Sequence, residues 1–107
     1  MRMALTLALV AGGLLCTAAQ ADEAMAAKYG CVSCHELDFK KVGPAYEAVA
    51  KKYHGADAAT IETLVKHVRE GSTGVWGKDI MPPQTLVPEK DVRELVSWVL
   101  SLDSSGK

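Results

Sequence analysis

Apolar side chains recur at the spacing of a helix face in three stretches of the chain, and nowhere do they alternate convincingly with the period of two expected of a half-buried strand. Tyr46, Val49, Ala50 and Tyr53 fall at i, i+3, i+4 and i+7, in a segment opened by Pro44 and ending near Gly55. Proline suits a first turn because its fixed φ is already helical and its missing N–H is not needed there. A second stripe, Ile61, Leu64, Val65 and Val68, runs from the N-cap residue Asp57 to Gly71. The third begins at Pro88 and puts Val92, Leu95, Val96, Val99 and Leu102 on one face. Asp22 to Tyr29 adds a shorter segment, rich in helix formers and acidic at its start, that stops at Gly30. The pattern predicts an all-α domain of four or so helices.

Between the last two helices, Gly71 to Val87 contains three glycines and two prolines and has no period. Loops of that length in a compact domain are usually functional or disordered. Trp76, Ile80, Met81 and Leu86 argue against disorder, because such side chains need something to cover.

The amino terminus is of another kind. Met1-Arg2 precedes an apolar run from Ala4 to Leu15, followed by small residues and Ala19-Gln20-Ala21, which reads as a signal peptide over residues 1–21. That run, broken by Gly12-Gly13, is too short for a helix rising about 1.5 Å per residue to cross a hydrocarbon core of about 30 Å, so no membrane span is expected after processing. Lipidation at Cys16 is disfavoured by Leu15, since a lipoprotein signal has a small residue there. Residues 22–107 then form one exported domain, with Cys31 and Cys34 as its cysteines, too few for a disulfide framework.

A chain of 107 residues with 49% apolar and 23% charged content fits one small domain and excludes a multidomain enzyme. The formal net charge of −1 gives no basic field for nucleic acid. So small an exported domain commonly needs a staple, metal or cofactor for stability.

Cys31-Val32-Ser33-Cys34-His35 supplies it. C-x-x-C-H is the signature of c-type haem attachment: two thiols on one helical turn add to the haem vinyl groups, and the next residue reaches the iron. A thioredoxin-like pair would want a βαβ context, and a zinc site would have to recruit His54 or His67 at no familiar spacing. The sixth position of the iron is either open or filled by Met81, His54, His67 or Met25. Met81 is favoured, because Pro82-Pro83 would hold it rigidly in the long loop. His and Met together raise the potential and suit electron transfer.

From Gly30 to Leu100 the chain resembles the small bacterial class I cytochromes c of the cytochrome c-551 type, with GCVSCH, VGPAY, GSTGVWG, IMPP and WVLS in order. GVWG followed by MPP is far more specific to that class than the haem motif. The resemblance implies a helical fold around one covalent haem c, with Cys31 and Cys34 as thioether links and His35 and Met81 as axial ligands. It further implies that the Pro44 carbonyl accepts a hydrogen bond from His35 Nδ1 and that the Trp76 indole N–H donates to a haem propionate. His67 departs from the pattern, because many relatives carry Arg there, and it is expected near a propionate.

The function expected is that of a monomeric electron carrier in the periplasm. Its donor would be a quinol-oxidising complex or another cytochrome, and its acceptor a nitrite reductase or a terminal oxidase. Docking would use the apolar rim of Val32, Ile80, Pro82 and Pro83, while Lys40, Lys41, Lys51 and Lys52 read more simply as solvated surface than as a steering field. Two other readings are a small haem enzyme or sensor with an open sixth position, and a tethered oxidase subunit held by Cys16 or an uncleaved signal.

Overall fold

The computed structural model describes residues 21–102. The assigned signal peptide, except Ala21, therefore lies outside the described residues, as does Cys16.

Helix α1 spans Glu23–Lys28, and the Asp22 carboxylate caps it by accepting from Met25 N at 2.9 Å. A short 3-10 turn, Cys31–Ser33, follows directly. Helix α2 is Tyr46–Lys52, with Ala45 as its N-cap. Helix α3 is Ala58–Glu70, started by Asp57, whose Oδ1 accepts from Thr60 N at 2.8 Å. That bond and the adjacent backbone hold the Asp57 carboxyl below the usual carboxylate range. Helix α4, Glu89–Ser101, begins after Pro88 with no side-chain cap, and Glu89 and Asp91 in its first turn face the positive end of the helix dipole.

The stripes read from the sequence meet where α4 packs against both α2 and α3. Leu64 and Val65 from α3, Val92, Leu95 and Val96 from α4, Ala26 from α1 and Val87 form the core. Tyr29 at the end of α1 donates its hydroxyl to Asp91, tying the first helix to the last. Arg93 on α4 grips Glu62 on α3 through Nη1 and Nη2, with Nη2 to Oε2 at 2.9 Å. The pair is exposed, so it orients more than it stabilises.

The long loop is more ordered than its sequence implies. Ser72–Thr73 (β1) pairs antiparallel with Ile80–Met81 (β2), Ser72 opposite Met81 and Thr73 opposite Ile80. Strands of two residues are too short to show alternation, which is why no period marked them. Gly71 enters the ladder at φ +85 and ψ 166, a combination essentially confined to glycine. A Cβ on it would lie 2.8 Å from the Met81 carbonyl oxygen and 3.1 Å from Pro83 Cδ. The glycine that ends α3 thus also lets the Met81 segment pass.

Candidate functional site

An apolar cleft with about 1320 Å³ of empty space, the part open to solvent included, runs along the inner side of the helices. Cys31, Cys34 and His35 stand on its lining, with Tyr46 and Val49 of α2, Leu64 and Val68 of α3, and Leu95, Val96 and Val99 of α4. Cys34 N and His35 N both donate to Cys31 O, at 3.1 and 3.0 Å, so one tight turn presents the three chemical groups together. Both thiols are free. Burial pushes the Cys31 thiol above its ordinary pKa.

The His35 ring is held on several sides. Nδ1 lies 2.8 Å from the Pro44 carbonyl oxygen. A carbonyl can only accept, so Nδ1 donates, which leaves Nε2 as the ring nitrogen whose lone pair the neutral imidazole could offer to a metal. Gly43 packs against the ring so closely that a Cβ there would fall 2.5 Å from Cε1 and 2.8 Å from Nδ1. Gly43 N donates to Cys34 O at 2.8 Å, and Tyr46 N to Glu36 O at 2.8 Å, which fastens the connecting loop. Tyr46 stacks on the imidazole, centroid to centroid 5.1 Å at 19° between planes.

Met81 lines the cleft from β2. Its segment is fixed beyond the ladder by Gln84 N donating to Val68 O at 2.9 Å and by Gln84 Nε2 donating to Pro82 O at 2.9 Å. Trp76 and His67, both half-buried, line the cleft as well. The Lys52 ammonium sits 4.6 Å from the centre of the Trp76 ring and within 3.5 Å of the Val75 carbonyl, bridging the end of α2 to the loop. Of the four candidates for the sixth position, His67 and Met81 line the cleft; His54 is exposed at the end of α2, and Met25 packs against the core from α1. Within the expected rim, Ile80 and Pro82 edge the cleft, whereas Val32 packs against the core. Lys40 pairs with Asp79 at 3.4 Å and Lys41 with Glu36 at 3.0 Å, so neither presents an unbalanced charge.

The sequence profile of the Cytochrome c family matches residues 19–103. The chain belongs to the cytochrome c family. It is similar to cytochrome c-551 of Allochromatium vinosum, 48% identical over 84 residues that make up 78% of this chain and 88% of that protein. Cytochrome c-552 of Hydrogenobacter thermophilus is 45% identical over 82 residues, 77% of this chain and 82% of its own. The crystal structure of cytochrome c552 from Nitrosomonas europaea superposes with a TM-score of 0.72 at 39% identity, covering 77% of this chain and all of that one. The c-551 resemblance and the all-α fold therefore stand. One covalent haem c is the cofactor that family membership carries, and the residues present fit it: a C-x-x-C-H turn with free thiols, and an imidazole and a thioether on one apolar cleft.

Gly43 and Tyr46 fall within VGPAY but carry no site role in the sequence, where Tyr46 reads as one member of a core stripe. Val42, exposed on the cleft lining, carries no signal in the sequence either. Gly43→Ala is expected to push the His35 ring from its place and destabilise the haem-loaded protein by about 1–3 kcal/mol, the usual cost of overpacking. Denaturant unfolding of the two proteins measures this, and equal midpoints would show that the loop yields without strain.

Proposed function

We propose that this member of the cytochrome c family is a periplasmic one-electron carrier whose haem iron is ligated by His35 and Met81, with residues 1–21 removed on export. The observation that supports it most is the shared cleft: the Cys31–His35 turn, with the His35 ring oriented by Pro44, and Met81 on the same lining. When bound, the haem supplies an iron that alternates between ferric and ferrous states. The protein's part is to hold that charge change still. His35 keeps one ring orientation because its Nδ1–H is committed to Pro44, Met81 is fixed by the ladder and by Gln84, and the apolar helix faces exclude water. Trp76 and His67 would hold the propionates at the polar edge. No helix among the described residues is long and apolar enough to cross a membrane. The carrier would act as a monomer, taking electrons from a quinol-oxidising complex or another cytochrome and passing them to a nitrite reductase or terminal oxidase. It would dock through the exposed Ile80 and Pro82 rim.

An optical spectrum of the purified ferric protein tests the ligation. A weak far-red sulfur-to-iron charge-transfer band is expected, and a high-spin spectrum would favour the open-site enzyme or sensor. Amino-terminal sequencing of the exported protein is expected to start at Asp22; an intact leader or a lipid on Cys16 would mean a tethered protein.

A further inference from the structure

The aromatic rings behind His35 form a short series that the haem motif does not explain. Tyr46 is 7% exposed, and its ring lies nearly parallel to the imidazole at 5.1 Å. Trp98 on α4 meets Tyr46 edge-on, at 5.4 Å between centroids and 72° between planes. Both separations lie in the range of favourable aromatic pairs, about 4.5–7 Å. The Tyr46 hydroxyl makes no hydrogen bond among the described residues. An aliphatic side chain at this position would offer the imidazole no flat face.

We infer that Tyr46 is a positioning residue for the electron-transfer site, its ring fixing the plane of the His35 imidazole and stabilising positive charge on it, while Trp98 holds Tyr46 in register from α4. The inference rests on the proposal that His35 ligates the iron. Pro44 fixes one point of the imidazole through a single hydrogen bond, which leaves rotation about that bond open. Gly43 limits the rotation by contact, and the Tyr46 face completes the restraint. The face of a phenol ring carries the negative part of its quadrupole, so a stacked imidazole that becomes more positive on oxidation is favoured by it. Burial pushes the Tyr46 phenol well above its ordinary pKa, so it stays neutral and acts through its ring rather than through a charge. Removing the ring should therefore disfavour the ferric state and raise the potential.

The experiment compares haem-loaded wild type with Tyr46→Phe, Tyr46→Leu and Trp98→Leu by redox titration and by proton NMR of the His35 ring in the reduced protein. Tyr46→Phe, which keeps the ring, should match wild type in both. Tyr46→Leu should shift the ferric-to-ferrous equilibrium roughly two- to tenfold toward ferrous, about 20–60 mV at 59 mV per decade, and move the His35 ring resonances. Trp98→Leu, which alters a ring outside the cleft lining, should shift both readouts the same way by less. If the Leu variant at 46 does not fold, Trp98→Leu against Tyr46→Phe decides. A folded Tyr46→Leu with wild-type potential and ring resonances overturns the proposal, as does a Phe variant that shifts as far as Leu. Wild-type His35 resonances without the large displacement of an iron-bound ring would instead overturn the ligation on which the proposal rests.

Discussion

Replacing Cys31 and Cys34 together by alanine is expected to yield a chain that is largely unfolded at room temperature. The reason lies in what the core lacks. Its buried members are mostly alanines and valines, with two leucines and one tyrosine, and Val92 is the largest side chain with essentially no exposure. Helix faces that a larger domain would bury against each other are turned in part toward the apolar cleft. Leu64, Val68, Leu95, Val96 and Val99 all reach its lining, so without a covalently held apolar group their cleft-facing sides lack a packing partner and the helices are expected to lose their mutual arrangement. Small domains have only about 5 kcal/mol or somewhat more to lose. Circular dichroism and thermal melting of the double variant measure the outcome: weak helicity and no sigmoidal transition are expected. A cooperative melt with native-like helix content would mean that the four helices hold together unaided, and the cleft would then be a preformed cavity.

The same imbalance explains which parts of the molecule are legible in the sequence. Helices α3 and α4 carry full apolar stripes between a start and a stop that act locally: Asp57 bonds Thr60 N, Gly71 turns the chain out, and Pro88 precludes an earlier start of α4. Helix α2 is shorter than its pattern, since Tyr53 already leaves the helix and serves as its C-cap. The ladder between Ser72–Thr73 and Ile80–Met81 left no trace, because its specification lies in where glycines allow the loop to double back rather than in side-chain periodicity.

Within the site, the motif of Cys31, Cys34 and His35 is legible because the three fall within one five-residue run, and Met81 stands out as a candidate because two prolines follow it. The supports are readable only in part. The Pro44 carbonyl, Trp76 and His67 come from likeness to a family, and the structure brings His67 and Trp76 to the cleft and Pro44 O to His35 Nδ1. Gly43 and Tyr46 act across space on a ring eight and eleven residues earlier, and nothing in a one-dimensional pattern distinguishes a glycine that makes room from one that makes a turn.

On the proposed ligation, Met81→Ala should leave the fold standing and change the iron site. The Met81 side chain is only half-buried, and its backbone is paired with Ser72 whatever the side chain, so the ladder and the Gln84 bonds survive the truncation. On that ligation, what is lost is a soft thioether, which would favour ferrous iron and keep small molecules away from the sixth position. The potential is therefore expected to fall by a tenth to a few tenths of a volt, well inside the span of about 0.8 V that axial ligands cover. The far-red band should vanish, and added imidazole or cyanide should bind readily where wild type resists them. His67 shares the cleft lining and is the side chain that could take over. Bis-histidine ligation would also lower the potential, but it would resist added ligands, and the double variant Met81→Ala with His67→Arg would then regain binding. Unchanged potential and an unchanged far-red band in Met81→Ala would show that the sulfur on the iron comes from elsewhere in the chain, and the long loop would lose its role as carrier of the sixth ligand.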